Sequence, residues 1–129
     1  MILPVSKIWI DYFSGKTTSQ TELLDDILAN GQVIVGDIIL NEVLQGFRTD
    51  TDFDRVKHLL TCLPFREMLG QTMVLQSAQN YRLLRQKGLT IRNTTNIAVG
   101  TFCVINKLTL LHDEPDFSLM VEHLGLQVL

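Results

Sequence analysis

The stretch Met1-Ile2-Leu3-Pro4-Val5-Ser6-Lys7-Ile8-Trp9-Ile10-Asp11-Tyr12-Phe13 decides the fold. Ile2 to Val5 is apolar on both alternating faces and gives way at once to a segment with helical spacing, Ile8, Trp9, Tyr12 and Phe13. A strand apolar on both faces belongs inside a sheet covered on each side. In an open α/β sheet, function gathers at the carboxyl ends of such strands, where the strand order reverses. Here that end is Val5-Ser6-Lys7.

Working outward, the totals set limits. A chain of 129 residues is expected to form one domain, residues 1–129. A chain of this size buries roughly two-thirds of its unfolded surface and needs no disulfide or structural metal to fold. Hydrophobic residues make up 46% and mean hydropathy is +0.18, which excludes a disordered chain. The net charge of -3 gives no global attraction to nucleic acid and leaves room only for a local basic patch. Cys62 and Cys103 lie in apolar, helix-like segments and read as buried free thiols. No apolar run reaches the ~18 residues of a membrane span. Pro4 and Lys7 interrupt the first apolar run and no small-residue cleavage site follows, so the expectation is a cytoplasmic protein without a signal peptide.

Along the chain, Gly15 ends the first helix. Thr17-Thr18-Ser19 with Glu22 suggests a capping box opening a second helix, with Leu23, Leu24, Ile27 and Leu28 on its apolar side. Val33-Ile34-Val35 reads as a strand closed by Gly36, and Asp37 as the cap of a helix reaching about Phe47. Thr49 to Asp52 starts a fourth helix that Pro64 ends. Phe65 to Leu69 reads as a brief strand. Gly70 to Lys87 reads as an amphipathic helix with Val74, Ala78, Tyr81 and Leu84 on one side. Asn93-Thr94-Thr95 caps a helix from Asn96 to about Ile105 that is apolar all round and therefore central. Leu108 to Leu111 is a strand, His112 to Asp116 an acidic loop, Phe117 to Leu124 a helix, and Leu126 to Leu129 a last strand. Alternating strands and helices imply an α/β protein with a mostly parallel sheet and helices on both faces.

Three features break the apolar pattern. Glu42 shares a helix face with Ile38 and Ile39. A carboxylate there either reaches water or an Arg from the edge of the stripe, or serves as a metal ligand or general base. Asp113, Glu114 and Asp116 follow a strand at its carboxyl end, either as a solvated turn with Asp116 capping the next helix or as part of a site. Asn96 opens the most buried helix, as a local hydrogen-bonding amide or as a neutral ligand. Carboxylates clustered at strand ends suit magnesium-assisted phosphodiester cleavage, because hard oxygen ligands hold the ion that activates water.

Together these residues resemble the PIN domain, and within it the VapC toxins of toxin–antitoxin pairs. The resemblance covers essentially the whole chain. It rests on Ile8-Trp9-Ile10-Asp11-Tyr12-Phe13, on Asn41-Glu42-Val43-Leu44-Gln45-Gly46-Phe47-Arg48, on Thr101-Phe102-Cys103-Val104-Ile105-Asn106, and on Leu110-Leu111-His112 through Asp116-Phe117. It implies a PIN-like α/β/α sandwich with a central sheet of four to five strands, a homodimer, a small VapB-like antitoxin partner, and Mg2+- or Mn2+-dependent cleavage of structured, tRNA-like RNA. The family's site holds about four acids. Val5 stands where the first belongs, Glu42 keeps the second, Asn96 stands for the third, and Glu114 with Asp116 matches the last loop. The metal ligands implied are thus Glu42, Glu114 and Asp116, with Asn96 completing the catalytic group. Arg48 and Arg92 are the residues expected to meet RNA, with Arg82, Arg85 and Lys87 as further basic side chains.

The departures fall on the chemistry. Val5 offers no ligand and Asn96 at most one neutral oxygen. Each carboxylate ~4 Å from an ion contributes about 2 kcal/mol per unit charge product at an effective dielectric near 40, so losing two weakens divalent binding by orders of magnitude. Lys7 adds a cation at the same strand end, either pointing to solvent or pairing with Glu42 or Glu114 in partial replacement of the metal. The expectation is a VapC-like toxin with weakened or lost ribonuclease activity. The alternative is a catalytically inactive PIN-fold module that dimerises and binds an antitoxin or RNA. A phosphate-binding receiver domain is more remote, since it needs an acidic pair after the first strand and a glycine-rich loop, and neither is present.

Overall fold

The computed structural model describes residues 1–129. The chain runs β1 (Ile2–Pro4), α1 (Ser6–Phe13), α2 (Ser19–Ala29), β2 (Val35–Gly36), α3 (Asp37–Gln45), α4 (Asp50–Thr61), β3 (Phe65–Arg66), α5 (Gln71–Gln86), α6 (Thr94–Asn106), β4 (Thr109–Leu111), α7 (Pro115–Leu124) and β5 (Gln127–Val128). Every strand pairing is parallel: β1 with β4, β4 with β5, and β2 with β3. A parallel bridge between Ile2 and Val33 joins the two groups into one succession, β3-β2-β1-β4-β5. This is the α/β sheet of four to five strands that the sequence implies, with β1 at its centre.

Centrality follows from composition. Leu3, Val5, Val33, Val35, Leu110 and Leu111 are all buried, and helices supply Ile8, Trp9, Ile39, Phe102 and Phe117 to the same core. The sheet order reverses beside β1: β2 lies on one side of it and β4 on the other. Residues following β1 and β4 therefore meet at the switch point where α/β sheets hold their sites.

Two glycines let elements approach closely. A Cβ on Gly36 would lie 2.1 Å from the Met68 sulfur, and one on Gly100 would lie 2.2 Å from the Met120 sulfur. Gly36 thus lets the β3–α5 connection close over β2, and Gly100 lets α6 lie against α7.

Several local expectations are corrected. β1 stops at Pro4, and Val5 is the extended residue preceding α1, with its N–H bonded to the Leu111 carbonyl at 3.0 Å. The α2 capping box uses Thr18 and Thr21 in place of Glu22, because Thr21 occupies the third helical position and its hydroxyl accepts from the Thr18 N–H at 2.8 Å. Gly36 precedes α3, while Asp37 accepts from the N–H groups of Ile38 and Met68 and so ties β3's continuation to the helix start. α3 ends at Gln45, short of Phe47.

The apolar side of α5 is only partly covered. Val74 is 48% exposed and Ala78 is also exposed, while the buried positions are Ser77 and Leu84. The expected apolar side is therefore split: Leu84 is in the core and Tyr81 packs against it, Val74 and Ala78 stay outside, and Asn80 faces α6, donating from Nδ2 to the Thr101 hydroxyl at 3.0 Å. Cys62 is exposed, contrary to expectation, because it follows the last turn of α4, whereas Cys103 is buried in α6. Burial pushes the Cys103 thiol up to about 12, so it is a core residue with no thiolate chemistry. No helix is long and apolar enough to cross a membrane.

Candidate active site at the carboxyl end of the sheet

Four elements converge on the switch point. α1 starts there with Ser6 and Lys7, α3 brings Glu42, α6 brings Asn96 from its first turn, and the β4–α7 connection brings His112 through Asp116. The sequence folds this way because β1 and β4 are paired in register, Pro4 beside Leu111, so their following residues are neighbours.

Asp116 is buried, with 7% exposure. It does not cap its own helix. Its Oδ1 accepts from the Arg92 N–H at 3.0 Å, and its Oδ2 from the Asn93 N–H at 3.1 Å and from Asn96 Nδ2 at 3.2 Å. These bonds fix the chain entering α6 against the start of α7. Asn96, equally buried, donates from the same Nδ2 to Glu114 Oε2 at 2.9 Å. Ionised carboxylates only accept, so the amide must present its NH2 to both and turn its oxygen away. Glu114 is held a second time: its N–H donates to His112 Nδ1 at 3.0 Å. Accepting that bond makes Nδ1 the unprotonated ring nitrogen, and burial lowers the His112 pKa against the opposing pull of Asp113 and Glu114.

Glu42 faces this group from α3. Its Oε1 accepts from the Ser6 hydroxyl at 3.3 Å. Burial raises its pKa; the Ser6 bond works against this and the neighbouring Glu114 charge adds to it. Ser6 is the residue that sequence reasoning missed: its position at the end of the central strand, facing a helix with one carboxylate, was the available signal.

Lys7 reaches neither Glu42 nor Glu114. Its ammonium donates to Asp113 Oδ2 and lies 3.8 Å from Asp11 Oδ2, while its side chain stays 48% exposed. Asp113 is the closer partner because it projects from the loop toward the first turn of α1, whereas Glu114 points inward to Asn96. Val5 is 3% exposed and contributes only apolar surface. Arg48 and Arg92 are both exposed; Arg92 stands beside the site through its backbone bond to Asp116, and Arg48 lies past the end of α3.

The structure thus assembles Glu42, Asn96, Glu114 and Asp116 at one place, but not as an ion cage. No group of three or more His, Cys, Asp or Glu side chains is arranged to hold a metal. A divalent ion draws several oxygen ligands to one point, carboxylates foremost. The Asp116 oxygens are occupied by amide donors, Asn96 points hydrogens and not oxygen at the acids, and the Val5 position supplies nothing. The residues present do not fit a resident Mg2+ or Mn2+.

No protein-family model matches the chain, and no curated protein matches it. Solved structures do. A chain of VapBC2 from Rickettsia felis, in a complex with a DNA fragment from the promoter, superposes with a TM-score of 0.78 at 17% identity, over 100% of this chain and 98% of that one. A chain of DNA-bound VapBC from Salmonella typhimurium gives 0.77 at 13% identity, over 99% and 96%. A chain of VapBC-1 from nontypeable Haemophilus influenzae gives 0.71 at 15% identity, over 100% and 97%. The class is therefore plain: this is a PIN-like α/β/α fold. Over its whole length the chain has the architecture of chains found in VapBC complexes.

Proposed function

We propose that this chain is a VapC-like, PIN-fold toxin relative that pairs with a small VapB-like antitoxin and in which metal-dependent cleavage of structured RNA is weakened or lost. The observation that carries the second half is the Asn96 amide bonded to both Glu114 and Asp116, which presents hydrogens where a metal site takes an oxygen ligand. The first half is supported by the whole-length likeness to chains of VapBC complexes.

Two apolar surfaces suit protein partners. One is a cleft of about 180 Å³ between α1, α2 and α4, lined by Trp9, Tyr12, Phe13, Leu28, Leu59 and Leu63 among others, all apolar. The other is the outward side of α5, where Leu69, Val74 and Leu75 are half exposed or more and Tyr81 and Ile97 line a groove. An antitoxin and a second copy of the chain are the two occupants that this reading requires. Any RNA contact falls to Arg92 at the site's rim and to Arg48.

A cleavage assay on structured RNA, comparing the natural chain with a Val5→Asp/Asn96→Asp variant in Mg2+ or Mn2+, tests the chemistry. The restored variant is expected to cleave at least about a hundredfold faster, since two carboxylates are returned to the ion. Equal, metal-dependent cleavage by both chains overturns the reading.

A further inference from the structure

The misfit between these residues and a metal leaves a question of cohesion: carboxylates from different elements are gathered with no ion to hold them. We infer that the acidic cluster carries its own cross-links, the Asn96 amide inside and the Lys7 ammonium outside, and that Lys7 latches the β4–α7 loop onto α1 so as to close the site against cations. This rests on the reading of the site as metal-free.

The inner link is neutral. One NH2 group bridges the carboxylates of Glu114 and Asp116, so two like charges are kept close by shared donation. The outer link is charged. Lys7, in the first turn of α1, bonds Asp113 in the loop after β4, residues 106 positions apart in sequence. The hydrogen bond to Asp113, opposed by burial and aided by the charges of Asp113, Asp11 and Glu114, raises the Lys7 pKa, so the latch is a full cation at neutral pH.

Direction distinguishes the two links. Asp113 is the neighbour of Glu114, whose own N–H is tied to His112 Nδ1. Holding Asp113 outward and Glu114 inward fixes the loop between them. An ammonium fixed at this rim also repels any divalent ion approaching Glu42 and Glu114. Asp11 Oδ2 is buried with no hydrogen-bond partner, and Lys7 supplies the one nearby positive charge it faces. Lys7 is thus a positioning residue, acting through Asp113 on where Glu114 stands.

Two measurements test the latch. Amide exchange at Glu114 in the otherwise natural chain reports loop opening. Lys7→Met and Asp113→Asn should each speed it, to the same extent, and the double variant should speed it no further; an unchanged rate in Lys7→Met overturns the inference. Both sites are partly exposed, so both variants retain the core. Calorimetric titration of Mn2+ into Val5→Asp/Asn96→Asp, with and without Lys7→Met, gives the second reading. Removal of the ammonium should tighten Mn2+ binding about tenfold. Equal or weaker binding, as loss of a merely structural ion pair would give, overturns it. Tight Mn2+ binding by the natural chain would instead remove the metal-free reading itself, so the two failures are separable.

Discussion

A single amide, Asn96, changes what the cleft can do. An aspartate there would add a charge to Glu114 and Asp116 and demand a cation; the amide donates to both and removes the demand. Its residue type was legible in the sequence, and so was the apolar side chain that Val5 places at the end of the first strand. That Asn96 would bond Glu114 and Asp116 directly was not, because they lie 18 and 20 residues further on and meet it only through the packing of α6 against β4 and α7. Lys7 was legible as a cation at the right strand end, but its partner was misplaced by one residue of the acidic loop, a difference set by which way a turn points its side chains. Glu42 gives a signed prediction. Its pKa in the folded chain lies above the ordinary 4.5, chiefly through burial, so the folded chain holds its proton longer than the unfolded one. Stability contributed by this group is therefore full below about 4.5 and falls as pH rises through the folded value. Glu42→Gln keeps the acceptor for Ser6 and removes the ionisation. Thermal melts should show the variant equal to the natural chain near pH 4 and more stable at pH 8; equal melting at both would contradict the assignment.

At the scale of elements, the pattern of apolar residues located every helix and β1 and β4 to within a residue or two. The shortfall came where local pattern competes with a partner. Strands of two residues, β2 and β3, carry too few positions for alternation to register. In α5 the sequence found an apolar side but not how much of it the chain itself covers. Val74, Ala78, Tyr81 and Leu84 form the expected stripe, but only its Leu84 edge enters the core; Val74 and Ala78 stay outside because Ser77 and Asn80 lie on the side facing α6, where Asn80 bonds Thr101. Periodicity finds an apolar side but not what covers it, whether the same chain or another. The consequence is testable. Val74→Glu on α5 and Leu59→Glu beside the α1–α2–α4 cleft each place a charge where a partner would have to bury it. One should abolish self-association and the other antitoxin binding, each weakened about a hundredfold or more, with melting little changed because both positions are about half exposed. Sedimentation of the free chain and of its mixture with a VapB-like partner reads this out. Loss of neither assembly would sink the assignment of these surfaces.

For the whole molecule, the fold is kept and the ion chemistry is proposed to be weakened or lost. The sheet order β3-β2-β1-β4-β5 still brings four elements to one switch point, and the superposition on chains of VapBC complexes spans the full length. Identity of 13–17% shows how little of that architecture depends on particular residues beyond apolar patterning. At the strand ends of this chain, Val5 adds to the buried cluster, and Asn96 donates from its amide to two carboxylates. A scaffold of this kind can keep its partner surfaces after its ion site has gone. The direct test is titration of Mn2+ into the natural chain by calorimetry at neutral pH. The account predicts no saturable heat below about 1 mM, a free energy weaker than about 4 kcal/mol. Stoichiometric binding in the micromolar range, lost on Glu42→Gln, would contradict it.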